Sequence, residues 1–299
     1  MYQNLPPKVS LTEVGPRDGF QFETEIIPTN LKVGIISGLA DAGLRRIQVT
    51  SFVHPGVVPQ MADAEELIER LPRRKGLTYT GLVLNTKGVE RAHAAGLEHV
   101  EISISSSDTH SRKNAGMSLE QAIEQGEAMI RLAQKHDMQI TAGIQCAFGC
   151  VYQGETPVHR VLDMARNFMN LGVHRLSIAD TTGMANPLSV SRLTDALLAE
   201  TADIPVGLHL HDTRGLGLAN VMAAMNCGIT DFDTALAGMG GCPFVTGAAG
   251  NIATEDTAYL MKSIGIETGI DIAKLSECSK RLARFFGKQF PGKLYRLSS

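Results

Sequence analysis

The sequence lacks several features that would assign a protein to a class at once. No apolar run reaches the roughly 18 residues that a membrane-spanning helix needs. The first residues show no basic segment followed by an apolar stretch, as a secretory signal does. Five cysteines among 299 residues are too sparse for a disulfide framework. A net charge of −3 gives no basic surface for nucleic acid. We therefore expect a cytoplasmic protein that binds neither nucleic acid nor a membrane.

Two common site motifs are also missing. Cys146 and Cys150 have no second cysteine or histidine pair at zinc-finger spacing, so we expect no structural zinc site. The first apolar segment is not followed by the G-x-G-x-x-G motif of dinucleotide-binding sheets. The chain contains no linker-like or low-complexity stretch. We expect one domain covering residues 1–299.

The chain alternates between short apolar segments rich in β-formers and longer segments with helical periodicity. The predicted strands are 9–14, 46–52, 78–84, 99–105, 139–145, 175–179, 206–211 and 232–237. The predicted helices are 30–42, 64–71, 88–95, 119–136, 157–171, 187–200, 216–226 and 254–264. Several helices end in glycine, which adopts the left-handed conformation without strain.

Eight strand–helix units are the number that closes a (β/α)8 TIM barrel. We predict this barrel over about residues 9–265, with one or two extra C-terminal helices over about 270–290. The alternative is an open, doubly wound parallel sheet.

Polar side chains follow the strands at the end where a TIM barrel carries its active site. Arg17 and Asp18 follow the first strand, His209 and His211 end the seventh, and Asn251 follows the eighth. Residues two apart in a strand face the same side at about 6.6 Å, so both imidazoles can converge on one ion. Mixed oxygen and nitrogen ligands suit Mg²⁺ or Mn²⁺ better than Zn²⁺. The alternative is a histidine pair with ordinary hydrogen bonds.

The remaining strand ends supply candidates for substrate binding and catalysis. Arg17 is a fixed cation suited to stabilising an enolate or oxyanion, unless it forms a structural salt bridge. Cys242 lies in a glycine-rich loop and is a candidate acid or base, whereas the other cysteines are expected to pack in the core. The candidate substrate-binding residues are Arg17, Gln48, Ser51, Ser105, Gln145, Thr181 and Arg214.

Several motifs together resemble the 3-hydroxy-3-methylglutaryl-CoA lyase family over about residues 9–275. They include E-V-G-P-R-D-G at 13–19, D-T-T-G at 180–183, H-L-H-D at 209–212, G-M-G-G-C-P at 238–243 and G-A-A-G-N-I-A-T-E-D at 247–256. The Cys-Pro loop and the Gly-Asn that follows are specific to the lyases, whereas the Arg-Asp and His-x-His motifs are shared with isopropylmalate-type synthases and acyl-pyruvate aldolases. The resemblance implies a metal-dependent retro-Claisen cleavage of an acyl-CoA thioester to acetyl-CoA and acetoacetate. It also implies a homodimer and no organic cofactor.

The resemblance assigns roles to individual positions. Asp18, His209, His211 and Asn251 match the metal ligands of the family. Arg17 matches the arginine that stabilises the enolate, Cys242 the cysteine of proton transfer, His209 a histidine with an added acid–base role, and Asp180 an aspartate of the polar network around the substrate.

The sequence departs from the family pattern near the predicted site. Gln48 stands where glutamate is usual, His54 where serine is common, and Arg214 where tyrosine is usual. The acyl group is therefore left open, and a related thioester such as citramalyl-CoA is an alternative substrate. A condensing acyltransferase of the isopropylmalate-synthase type and a non-catalytic relative are the two competing functions. Candidate basic contacts to coenzyme A are Lys87, Arg112 and Lys113.

Overall fold

Eight parallel strands close into a barrel in which each strand pairs with its neighbours in sequence order. The computed structural model describes residues 5–201, 204–241 and 249–297. The strands are β1 (Ser10–Glu13), β2 (Arg46–Ser51), β3 (Thr78–Val83), β4 (His99–Ser105), β5 (Gln139–Gln145), β6 (Arg175–Ala179), β7 (Val206–His209) and β8 (Asp231–Thr234). The predicted TIM barrel is confirmed.

Helices alternate with the strands around the outside of the barrel. They are α1 (Thr29–Asp41), α2 (Ala64–Arg70), α3 (Thr86–Ala94), α4 (Asp108–Ala115), α5 (Leu119–Lys135), α6 (Val158–Asn170), α7 (Pro187–Glu200), α8 (Gly217–Asn226), α9 (Thr254–Ser263) and α10 (Ile272–Phe286). The predicted C-terminal extension is the single helix α10, which is capped by Asp271 at its start and by a left-handed Gly287 at its end.

Helix α4 was not predicted, because its sequence D-T-H-S-R-K-N-A has no apolar periodicity. Its start is set by a cap instead: Ser107 Oγ accepts a hydrogen bond from the His110 amide at 3.2 Å.

Two strands end two or more residues earlier than predicted, and both differences shape the site. β7 ends at His209, and β8 ends at Thr234. The chain after β8 returns across the end of β7, where His211 and Asn251 form an isolated antiparallel bridge. The prediction that both histidines belong to the strand was therefore wrong. His211 is held by pairing with the returning segment.

The apolar core lies between the barrel and the surrounding helices. On β4 the buried Val100, Ile102 and Ile104 belong to this core and alternate with polar residues. Because successive side chains in a strand point to opposite faces, the alternate polar residues point into the barrel.

Ion pairs, rather than apolar layers, fill the lower barrel interior. Arg175 on β6 reaches past β7 to Asp231 at 2.7 Å and Asp233 at 3.4 Å, both on β8. Arg46 on β2 approaches Asp231 from the other side at 3.2 Å. A Cβ at Gly207 on β7 would overlap the Arg175 guanidinium, so glycine is needed where this side chain crosses the strand.

Within the described ranges, no helix has both the length and the apolar character required to cross a membrane.

Candidate metal centre and active site

A single π-helical turn directly after β1 carries the first two site residues. The turn spans Gly15–Gly19 and buries both Arg17 and Asp18. Its first residue is anchored by Glu13, whose Oε1 accepts a hydrogen bond from the Gly15 amide at 2.8 Å. Turns of this type are rare and occur often at functional sites.

Asp18, His209 and His211 form the predicted cluster at the carboxyl end of the barrel. Their ligand atoms all lie within 4.8 Å of one another. The two Nε2 atoms are 3.2 Å apart, and His209 Nε2 lies 4.0 Å from Asp18 Oδ2. The spacing lets one oxygen and two nitrogens face a common point.

The electrostatics favour the metal-binding forms of Asp18 and His211. At His209, burial is outweighed by Asp233 and Asp18, which raise the pKa of the imidazole. Burial and the neighbouring charge of His209 lower the pKa of His211 to about 3, so its imidazole is neutral. Burial works against ionisation of Asp18, but the charges of Arg17 and the histidines outweigh it and lower the pKa of that carboxyl group. A neutral imidazole and a carboxylate are the ligand forms a divalent ion requires.

Asp233 lies behind His209 and orients its ring. His209 Nδ1 is 3.5 Å from Asp233 Oδ2, which also accepts from Ser177 Oγ at 3.2 Å. Burial works against the charge of Asp233, but Arg175 outweighs it, so the pKa of Asp233 lies below its usual range. The carboxylate therefore holds the proton on Nδ1 and turns Nε2 toward the cluster.

Asn251 also reaches the cluster, but through its nitrogen. Its Nδ2 donates to Asp18 Oδ2 at 2.7 Å and to Met239 O at 3.0 Å, and its buried Oδ1 has no hydrogen-bond partner in the described chain. Gly240 has a φ of +126°, and a Cβ there would overlap the amide. Ligation through Oδ1 requires a half-turn of the amide, so this ligand stays a prediction.

A cavity of about 450 Å³ opens onto the cluster. Of the residues predicted from the sequence, Arg17, Asp18, Gln145, Thr181, His209 and His211 line it. Gln48 lies behind Arg17, where its Oε1 accepts a hydrogen bond from Arg17 Nε, and the Arg17 Nη1 atom bonds Asp18. These six predicted residues, from different sides of the barrel, therefore face one cavity, and Gln48 supports it from behind Arg17.

Asp180 and Arg214 do not line this cavity. Asp180 Oδ1 accepts from the Met184 amide at 2.8 Å and the Ala185 amide at 3.1 Å, which orders the loop after β6. Burial raises the pKa of Asp180 to about 7. Arg214 is exposed and donates to the Thr182 carbonyl at 2.9 Å. In this structure, both side chains bind the loop that presents Thr181.

Ser51 and Ser105 are buried but do not line the main cavity. Ser105 borders a neighbouring cavity of about 250 Å³, which shares Ser103 and Gln145 with the main one. The two cavities are therefore adjacent through strands β4 and β5.

The groups in the site that were missed include Glu101, Ser177 and Asp233. Glu101 and Ser177 line the cavity. The available signal was the alternation of polar with apolar residues on β4, β6 and β8, which marks an inward polar face. The prediction had rested on the last residues of each strand, whereas these three side chains lie further down the barrel.

Cys242 lies outside the described residues, so its predicted role is unchanged. Cys146, Cys150 and Cys278 are buried, as expected for packing cysteines, whereas Cys227 is only partly buried. Of the candidate contacts to coenzyme A, Arg112 pairs with Asp108 at 2.8 Å.

The remaining two candidate contacts are also on the surface. Lys87 is exposed, and Lys113 Nζ lies 4.3 Å from the ring centroid of Tyr152.

A family model described as HMGL-like matches residues 8–282. The chain belongs to the HMGL-like family. This HMGL-like chain is 38% identical to the hydroxymethylglutaryl-CoA lyase of Bacillus subtilis over 288 residues, covering 96% of each chain. It is 36% identical to the human mitochondrial hydroxymethylglutaryl-CoA lyase over 290 residues, covering 97% of this chain and 89% of the relative.

Solved structures of HMG-CoA lyases match the whole HMGL-like barrel. The Bacillus subtilis enzyme superposes with a TM-score of 0.95 at 37% identity, over 99% of both chains. An HMG-CoA lyase from Acinetobacter baumannii, solved in complex with coenzyme A and 3-methylmalate, gives 0.92 at 37% identity, over 97% of this chain and 95% of the other. The fold and the family are thereby established together.

Proposed function

We propose that this protein is a metal-dependent carbon–carbon lyase that cleaves 3-hydroxy-3-methylglutaryl-CoA to acetyl-CoA and acetoacetate. The observation that carries the proposal is the cluster of Asp18, His209 and His211 facing a cavity beside the buried guanidinium of Arg17. Membership of the HMGL-like family supports the same reaction.

The residues present fit a divalent cation, for which we propose Mg²⁺ or Mn²⁺. The three side chains offer one carboxylate oxygen and two imidazole nitrogens, and the low pKa of His211 keeps its ring unprotonated. Asn251 Oδ1 is buried without a partner in the described chain and is the proposed fourth ligand. When bound, the ion supplies Lewis acidity to oxygen atoms of the substrate.

The reaction breaks one carbon–carbon bond and moves two protons. The C3 hydroxyl of the substrate loses a proton, the C2–C3 bond breaks, and acetoacetate leaves. The enolate of acetyl-CoA then takes a proton at C2. Arg17, held by Gln48 and Asp18, places a positive charge where the enolate oxygen develops. For the proton transfers we propose His209 and Cys242.

Gln145 and Thr181 are proposed to bind the substrate directly. Both line the cavity, so their polar atoms are within reach of a bound molecule. Thr181 Oγ1 accepts from the Cys146 amide at 2.8 Å and keeps its own proton for donation. Substrate binding by Ser51, Ser105 and Arg214, and a place for Asp180 in the polar network around the substrate, stay proposals.

A coenzyme A thioester is the proposed class of substrate, supported by the coenzyme A in the related lyase structure. A single domain over residues 1–299, the homodimer and the cytoplasmic location stay predictions.

The test is a cleavage assay with 3-hydroxy-3-methylglutaryl-CoA and Mg²⁺ or Mn²⁺. We expect equal amounts of acetoacetate and acetyl-CoA, and loss of both after chelation. Arg17→Gln should lower kcat by roughly two to three orders of magnitude, as removal of an oxyanion-stabilising group does. Absence of products with the metal-loaded native protein would refute the proposed function.

A related thioester with a larger or more polar acyl group is the second candidate substrate. Ser103 and Gln145 line both the main cavity and the adjacent one of about 250 Å³, which leaves space beside the site lined by polar and apolar side chains. Comparison of kcat/KM for 3-hydroxy-3-methylglutaryl-CoA, citramalyl-CoA and longer 3-hydroxyglutaryl-CoA analogues decides between them. Cleavage of citramalyl-CoA or a longer analogue, with no cleavage of 3-hydroxy-3-methylglutaryl-CoA, would identify that thioester as the substrate instead.

A further inference from the structure

A chain of hydrogen bonds crosses the barrel from Glu101 to Asp18 of the candidate metal site. Gln48 Nε2 donates to Glu101 Oε2 at 2.6 Å, and Gln48 Oε1 accepts from Arg17 Nε. Arg17 Nη1 in turn bonds Asp18. Since Glu101 lies on β4 and Gln48 on β2, the contact spans the barrel interior and passes over β3.

The amide of Gln48 can satisfy both neighbours in only one orientation. A guanidinium carries only donors, so Arg17 requires the amide oxygen. Glu101 Oε2 then faces the amide nitrogen and accepts from it. Turning the amide over would bring two donors together at Arg17. Gln48 is only 1% exposed, so water cannot replace the lost bonds.

This arrangement does not depend on the charge of Glu101. Burial, followed by the charge of Asp233, raises the pKa of Glu101, while Arg17, His209 and Arg175 act in the opposite direction. A proton on the other carboxyl oxygen leaves Oε2 free to accept from Gln48. A neutral side chain with the same acceptor should therefore serve equally well.

We propose that Glu101 is a positioning residue of the lyase reaction: it fixes the amide of Gln48, and that amide fixes the guanidinium of Arg17 toward the reacting end of the substrate. The proposal rests on the proposed function. Glu101 itself need not touch the reacting atoms, although it lines the cavity.

A matched pair of variants separates the acceptor from the charge. Glu101→Gln retains an oxygen for the Gln48 amide, whereas Glu101→Leu removes it. We expect Glu101→Leu to lower kcat at least tenfold when the rate is divided by the concentration of sites that bind Mn²⁺. KM and the Kd for Mn²⁺ should stay within about twofold of the native values. Glu101→Gln should stay within about threefold in kcat. Equal kcat for Glu101→Leu and the native protein would overturn the proposal.

A swap of the two side chains gives the rescue test. Gln48→Glu alone places a second carboxylate against Glu101 and should lower kcat. In the double variant Gln48→Glu/Glu101→Gln, residue 48 accepts from both Arg17 and the new amide, so kcat should recover at least fivefold over Gln48→Glu. A double variant no better than Gln48→Glu would also overturn the proposal.

Urea unfolding supplies a readout that is independent of the reaction. The free energy of unfolding is measured without metal for the native protein, Gln48→Glu, Glu101→Gln and the double variant. The double variant should regain most of the stability lost in Gln48→Glu. An inactive native protein that shows this coupling would refute the proposed lyase function and leave the pairing intact. Absence of the coupling would refute the positioning role.

Discussion

Asp233 determines which nitrogen of His209 faces the candidate metal site. Its carboxylate lies 3.5 Å from Nδ1 and is itself held by Arg175 and Ser177. A carboxylate in this position fixes both the tautomer and the rotation of a ligating imidazole. The affinity for metal is therefore set partly by a residue that is not a ligand.

Asp233→Asn should weaken metal binding by roughly 10- to 100-fold, the range seen when such supporting groups are removed. Titration with Mn²⁺ followed by calorimetry measures the effect. Asp231→Asn is the matched control, since Asp231 pairs with the same Arg175 at 2.7 Å but has no bond to His209. An equal loss of Mn²⁺ affinity in both variants would show that Asp233 acts by holding Arg175 and not by orienting the ring of His209.

At the scale of the element, Glu13 joins the end of β1 to two neighbouring segments. Its Oε1 accepts from the Gly15 and Leu236 amides at 2.8 and 2.9 Å, and its Oε2 shares a hydrogen bond of 2.7 Å with Thr254 Oγ1. Burial, which outweighs these hydrogen bonds, raises the pKa of Glu13 to about 8. The turn that carries Arg17 and Asp18 thus begins at a carboxyl group that is protonated at neutral pH.

This pKa makes stability depend on pH in a defined direction. Between about pH 4.5 and pH 8 the folded protein keeps a proton on Glu13 that the unfolded chain has lost, so the free energy of unfolding falls as pH rises through that window. Glu13→Gln should reduce this fall, because the amide is neutral throughout. Urea unfolding at pH 5 and pH 8 measures the difference, with the exposed Glu124→Gln on α5 as control. The same slope in Glu13→Gln and the native protein would contradict the assignment.

At the scale of the whole molecule, the metal cluster connects segments distant in sequence. Asp18 follows β1, His209 ends β7, and His211 pairs with Asn251 from the segment after β8. An ion bound to these side chains would link the turn after β1 to the end of β7 at the open end of the barrel. Metal binding should therefore stabilise the entire fold.

Addition of Mn²⁺ at about 100 times its Kd should raise the free energy of unfolding by about 2.7 kcal/mol, and chelation should reverse the gain. Thermal unfolding with and without the ion measures the shift in Tm. Asp18→Asn removes the one carboxylate of the cluster and should abolish most of the shift. An undiminished shift in that variant would place the ion elsewhere.

The sequence by itself determined the barrel and most of the side chains of the candidate metal site. Strand and helix periodicities are local, and so is the position of a polar residue at the end of a strand. Asp18, His209 and His211 could therefore be placed at one end of a TIM barrel without coordinates, and the structure confirms that they meet there.

Only the tertiary structure decided which polar side chains touch one another. Gln48 meets Glu101, and Arg175 meets Asp233, across strands that are not neighbours in the sheet. These contacts depend on how far each side chain reaches inside a closed barrel, and pattern within one strand does not report that distance. For the same reason Asp180, at the end of β6, binds its own loop, whereas the next residue, Thr181, faces the cavity.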